Sequence, residues 1–285
     1  MRDVLIALAP ATVASVVIFG FRSLEVIAVC LAFAILSEFL MQKAMKRPVT
    51  ISDCSAAITG LLLALNLPSS IPLWQAAIGS IFAIVVVKQL FGGLGHNFAN
   101  PAITARIMLV VAFSGTMAVA GQPVIDGVSG ATPLAVLSGQ AGTMPSYLQL
   151  LFGTHGGALG ETCAIALIAG GIYLIVRKVI TWHTPVIYVA TVFVLSFAFG
   201  RDPVAEILSG GLMLGAIFMA TDYVTTPATS MGRVIFGFGC GFITIVIRTF
   251  GSYPGGVSFS ILLMNILTPY IERATRNKVI GGTGK

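Results

Sequence analysis

"VLIALAPATVASVVIFGF", residues 4–21, runs its whole length without a charge. At about 1.5 Å of rise per residue such a run makes a helix close to the thickness of the ~30 Å hydrocarbon core of a bilayer. Uncharged apolar runs of the same kind recur at 179–200 and 249–271. Across the 285 residues, 56% are hydrophobic and only 9% charged, with a mean hydropathy of +0.98. Soluble domains carry roughly 25% charged residues, so a soluble fold is excluded. The run at 4–21 is not followed by a small-residue cleavage site, and a removable signal peptide is not expected. The fold class that follows is an all-α polytopic membrane protein.

The hydropathy pattern predicts about ten transmembrane helices, near 3–20, 24–42, 53–67, 72–91, 101–119, 161–179, 185–200, 204–220, 232–250 and 256–272. With the N-terminus inside, all of the 16 Lys and Arg fall at inner ends, Lys88 and Arg106 among them, except Arg22, Arg201 and Arg248. The positive-inside rule then sets both termini in the cytoplasm and the loop 120–160 on the outer face. The same placement accounts for the +6 net charge without a nucleic-acid partner. Two Pro- and Gly-rich breaks, "LNLPSSIP" with "FGGLGHNFANPAI" and "TDYVTTPA" with "FGSYPGGVSFSI", run in opposite directions through the membrane. That pattern predicts two inverted five-helix repeats, about 1–119 and 161–272, flanking the loop, with a short tail at 273–285.

Cys30, Cys54, Cys163 and Cys240 lie far apart and form no C-x-x-C pair, so they read as inert thiols. His96, His155 and His183 lack metal-ligand spacing and read as structural or interfacial. The glycines of "GFGCG" (237–241), "GGLMLGAI" (210–217) and "GTHGGALG" (153–160) are spaced for close helix contact. Carboxylates are costly in lipid, yet none of those in the chain reads as lying at mid-membrane. Asp222, beside the break "TDYVTTPAT", is the candidate contact for a translocated cation; the alternative is a helix cap or a partner of Arg233.

"DGVSGATPLA", 126–135, is the polar stretch that an apolar scaffold does not need. Thr132 before Pro133 reads locally as a helix N-cap with Pro at the first helical position. Free N–H groups at such a start favour an anion such as phosphate, and the small Gly130 and Ala131 leave the hydroxyl accessible.

The stretch "DGVSGAT" resembles the Asp-x-x-(Ser/Thr)-Gly-Ala-Thr pattern at which a flavin transferase links FMN to a Thr hydroxyl. Together with "DVLIALAPATVAS", "GHNFANPAITAR" and "FMATDYVTTPATSMGR", it makes the chain resemble the RnfD/NqrB family over essentially its full length. The resemblance implies FMN esterified to Thr132, with Asp126, Ser129, Gly130 and Ala131 read by the transferase. It also implies a second, non-covalent flavin, riboflavin, for which "GHNFANPAIT" is the first candidate. The function implied is a membrane subunit of an Rnf-type complex, relaying electrons between ferredoxin- and NAD-handling partners with coupled Na⁺ or H⁺ movement. Its implied partners are a second covalently flavinylated subunit, iron–sulfur subunits and membrane lipid, and no turnover is expected of the single chain. Inverted halves with broken segments also suit a small-solute channel or transporter, for which a flavinylation motif has no use.

Overall fold

The computed structural model describes residues 1–119, 121, 123, 132–251 and 255–276. Among them there is helix and no strand; the only β pairing is two isolated bridges, Pro68 with Ala158 and Gly121 with Gly157. The main helices are α1 (Arg2–Phe19), α2 (Phe21–Ala44), α3 (Ser55–Leu65) and α4 (Leu73–Phe82), the last continuing as a π-helical Ala83–Gln89. After α5 (Pro101–Ala112) come α6 (Ala164–Val176) and α7 (His183–Ala198). Then follow α8, made of Pro203–Leu208, Leu212–Leu214 and the π-helical Gly215–Met219, and finally α9 (Ser230–Phe250) and α10 (Val257–Thr275).

Three of these, α1, α2 and α9, are long and apolar enough to cross a membrane. Others are shorter than the hydropathy pattern predicts. The 11-residue α3 covers only about half of a ~30 Å core, and it ends at Asn66–Leu67–Pro68. The predicted continuous helix 204–220 is broken at Ser209–Gly210–Gly211, where Gly210 takes φ 67°. A break inside apolar surroundings frees backbone carbonyls that must find partners. Arg248 of α9 supplies them: its Nη1 donates to the Glu206 carbonyl at 2.7 Å and its Nη2 to that of Ser209 at 3.2 Å.

Close approach of α7 and α9 follows from two glycines one helical turn apart. A Cβ on Gly237 would lie 2.9 Å from the Thr184 carbonyl oxygen, and one on Gly241 would lie 3.0 Å from that of Tyr188. Between them the buried Tyr188 hydroxyl shares hydrogen bonds with Thr244 of α9 at 2.7 Å and Ser260 of α10 at 3.0 Å. The "GFGCG" reading as a packing stretch is thus realised, and a polar triad locks three helices where hydrophobic burial alone gives no register.

Among the described residues, two carboxylates are fully withdrawn from solvent, a burial that their places near the ends of apolar runs do not announce. Glu38 of α2 is 1% exposed and accepts from Lys88 Nζ at 2.7 Å and Gln89 Nε2 at 2.8 Å. Lys88 also donates to Ser55 Oγ at the start of α3, at 2.6 Å. Glu206 of α8 is 0% exposed and is held by Arg201 and Arg248. Lys88 and Arg248 therefore serve internal partners, and neither carries weight in a count of interfacial charge.

Candidate functional site: a cavity under Thr132

Thr132 occupies the N-cap of a short helix, Pro133–Leu137, and its Oγ1 accepts from the Ala135 N–H at 3.2 Å. The local reading of "ATPLA" as a capped helix start is correct. The helix is only five residues long. Asp126, Ser129, Gly130 and Ala131 lie outside the described residues.

The half-buried Thr132 lines a cavity of about 440 Å³, within the ~300–1,000 Å³ of pockets that bury small ligands. One wall is the segment 153–163, which turns back against the broken end of α3. Its Leu159 N–H donates to the Leu67 carbonyl at 2.9 Å, and Gly160 to that of Leu65 at 2.7 Å. Gly160 is required there, because a Cβ would overlap the Leu65 side chain. This segment delivers His155 and Glu161 to the cavity. His155 is 6% exposed; its Nδ1 meets the Gly156 carbonyl at 3.0 Å and its Nε2 is buried without a partner. A carbonyl can only accept, so Nδ1 carries the proton. Burial pushes this imidazole below its ordinary range, outweighing the Gly156 backbone, Glu161 and the Thr162 backbone, which favour the charged form.

The opposite wall is α5. Arg106 projects from the middle of that helix, where Nη1 donates to Asn66 Oδ1 at 2.9 Å and to Ser258 Oγ at 3.3 Å. Glu161 Oε2 stands 3.9 Å from its Nη2, beyond hydrogen-bond length. The sequence pattern assigns Arg106 to the inner interface; the structure places it on the same cavity as Thr132. A charge count along a helix cannot separate an arginine reaching for the membrane surface from one held inside by an amide.

A second, smaller cavity of about 160 Å³ is lined by Ser55, Lys88, Asn97, Asn100 and Asp222. Asn100 caps α5 through the Ala102 and Ile103 N–H groups at 3.1 and 3.3 Å. Asp222 accepts from Val224 N–H and from Thr225 Oγ1, both at 3.4 Å. It closes a turn there rather than capping a helix, since the next helix begins at Ser230 with Thr229 as its cap, and Arg233 is not its partner; that guanidinium bonds the Pro227 carbonyl and Thr181. "GHNFANPAIT" and Asp222, singled out separately in the sequence, thus meet, and neither lines the cavity of Thr132. Asn66 is bonded to a lining residue of each hollow. Besides receiving Arg106, its amide donates to the Leu62 carbonyl at 2.7 Å and contacts Met219 Sδ at 3.5 Å, and Leu62 lines the smaller cavity.

Sequence reading misses Arg106 and the Glu38–Lys88 and Glu206–Arg248 pairs, whose partners lie 40 to 50 residues apart in the chain. No local pattern marks such partners.

The sequence model described as the NQR2, RnfD, RnfE family matches residues 1–281. The D component of the Na(+)-translocating ferredoxin:NAD(+) oxidoreductase complex of Acetobacterium woodii is 47% identical over 287 residues, covering 99% of this chain and 90% of that protein. The D component of the proton-translocating ferredoxin:NAD(+) oxidoreductase complex of Clostridium ljungdahlii is 42% identical over 295 residues, 97% of this chain and 89% of the relative. Its counterpart in the ion-translocating oxidoreductase complex of Halorhodospira halophila is 38% identical, covering 99% of this chain and 91% of its own.

Proposed function

The chain belongs to the NQR2, RnfD, RnfE family, and from that membership we propose that it is the membrane-embedded RnfD component of an ion-translocating ferredoxin:NAD⁺ oxidoreductase complex. In this reading Thr132 carries FMN as a phosphoester. The observation that carries the assignment is the position of the Thr132 side chain on a ligand-sized cavity that also holds the half-buried Arg106 and the buried His155. A residue whose only task was to cap a five-residue helix would have no need of that hollow. Bound there, FMN supplies the one- and two-electron chemistry, and the chain supplies attachment, position and field.

The remaining parts of the reading rest on supporting features. Two inverted five-helix halves are favoured by matched positions: α3 and α8 are followed by Asn66 and Asp222, and α4 and α9 each place a buried cation, Lys88 or Arg248, in the last turn. Each cation pairs with a glutamate and also holds the element before its own. With both termini cytoplasmic, Thr132 faces outward, toward a second covalently flavinylated subunit; iron–sulfur subunits and a flavin transferase complete the partner set. Riboflavin is the second flavin, and the cavity beside Asn97 and Asn100 is its candidate place, although at about 160 Å³ it lies below the ~300 Å³ lower end of ligand pockets. Asp222, on the same cavity, is the candidate contact for the translocated Na⁺ or H⁺.

The test is a denaturing gel of the complex, co-expressed with the transferase, under ultraviolet light. The band of this chain is expected to fluoresce, and Thr132→Ala to remove the signal while the protein remains inserted. A dark wild-type band would sink the assignment and leave the small-solute channel as the better account.

A further inference from the structure

The cavity under Thr132 holds more than an attachment point. Among its described lining residues, Arg106 and Glu161 are the charged ones. His155 is driven toward its neutral form by burial, which leaves Arg106 as the fixed positive charge. Its side chain is only 16% exposed, and its carboxylate neighbour stands off at 3.9 Å. The guanidinium is pinned by neutral groups, Asn66 Oδ1 and Ser258 Oγ, with Glu161 as a looser ion-pair partner that makes no hydrogen bond to it. Pinning matters because α3 and the start of α10 then fix where the charge points.

We propose that Arg106 faces the isoalloxazine ring of the flavin attached to Thr132 and sets its reduction potential, with Glu161 as the opposing charge that trims the effect. The inference rests on the Thr132 reading above. In an ester the phosphate is tied to the Thr132 oxygen itself, so the ring, at the far end of the ribityl chain, is the part that reaches into the hollow. Arg106 projects into that hollow from mid-helix, and Thr132 lines the same hollow from the start of the helix 133–137. The pyrimidine edge of a flavin carries two carbonyl oxygens that accept from a guanidinium, and reduction increases negative charge on that edge. A fixed cation in a weakly screened site therefore stabilises the reduced ring more than the oxidised one.

The experiment uses the whole complex matured with the transferase, compared with its Thr132→Ala counterpart so that the spectral difference reports this flavin alone. Two readouts are taken: fluorescence of the denatured band, and the flavin midpoint from a spectroelectrochemical titration. Arg106→Gln is expected to keep the fluorescent band and to lower the midpoint, and Arg106→Lys to recover much of the loss. A tenfold weaker preference for the reduced ring corresponds to about 30 mV for a two-electron couple. Glu161→Gln leaves the arginine in place and is expected to move the midpoint the other way, which keeps the test open if Arg106→Gln fails to insert. A fluorescent band whose midpoint moves in neither variant overturns the role of Arg106 and spares the Thr132 assignment. A dark wild-type band overturns the Thr132 assignment and this proposal with it.

Discussion

Lys88 and Glu38, from helices α4 and α2, meet at 2.7 Å with side chains 3% and 1% exposed. A pair so buried contributes little net stability against an apolar replacement, because desolvation offsets the attraction. Its fragility lies in removing one member. Lys88→Met strands the Glu38 carboxylate and is expected to cost about 3–5 kcal/mol. The double variant Lys88→Met/Glu38→Leu should recover most of that. Thermal unfolding in mild detergent reads both, and equal losses in single and double variants would show that the pair is not the cause.

The other buried pair serves a broken helix. Arg248 holds the Glu206 carboxylate and the carbonyls of Glu206 and Ser209, while Arg201 joins Glu206 to the Leu137 carbonyl at 3.3 Å. Arg248→Met should therefore loosen the helix 133–137 as well as α8. Hydrogen exchange is expected to show faster exchange at the amides of Val136 and Ser138, which are bonded within that turn. Protection unchanged at those amides would mean that Arg201 alone secures the loop.

Packing of α7 on α9 predicts a steep response at one glycine. A Cβ on Gly241 would come within 2.6 Å of Thr191 Cβ, so Gly241→Ala must separate the helices and is expected to cost about 1–3 kcal/mol. Gly115, whose added Cβ meets nothing within 4 Å, is the control, and its alanine variant should be near neutral. Detergent unfolding of the two side by side makes the comparison.

On the loop side, Tyr147 Oη donates to Asp202 Oδ2 at 2.6 Å. That hydroxyl, ahead of the opposing effect of burial and with help from the Ala205 and Val204 N–H groups, holds the Asp202 carboxyl below its ordinary value. A depressed carboxyl contributes its stability above the unfolded value, about 3.9, and loses it as pH falls through the folded value. The tether between Tyr147–Phe152 and α8 is thus expected to be constant at neutral pH and to fail only in strong acid. Tyr147→Phe should move the failure to higher pH. Limited proteolysis near residues 147–152 across a pH series follows it, and identical profiles for wild type and variant would remove the tether from the account.

How much of this is legible in the sequence depends on how local its cause is. Helices α1, α2 and α9 can be read because each is a long apolar run, and the Thr132 cap because Thr-Pro fixes both a side-chain acceptor and a φ angle within two residues. The break in α8 cannot, since Gly210 is one of 32 glycines and what makes its turn tolerable is a guanidinium 38 positions onward. A sequence count misplaces Arg106 for the same reason: its partners Asn66, Glu161 and Ser258 come from three other segments. The match of Asp222 with "GHNFANPAIT" on one cavity likewise exists only once the chain is folded.

Asn66 has one further consequence. Its Oδ1 accepts from Arg106, which lines the larger hollow, while its amide donates to the carbonyl of Leu62, which lines the smaller one. One amide thus has its two ends committed to the walls of two different hollows. A shift of Arg106 that turned this amide would be felt at Leu62, and a single side chain is the shortest bonded route from one hollow to the other.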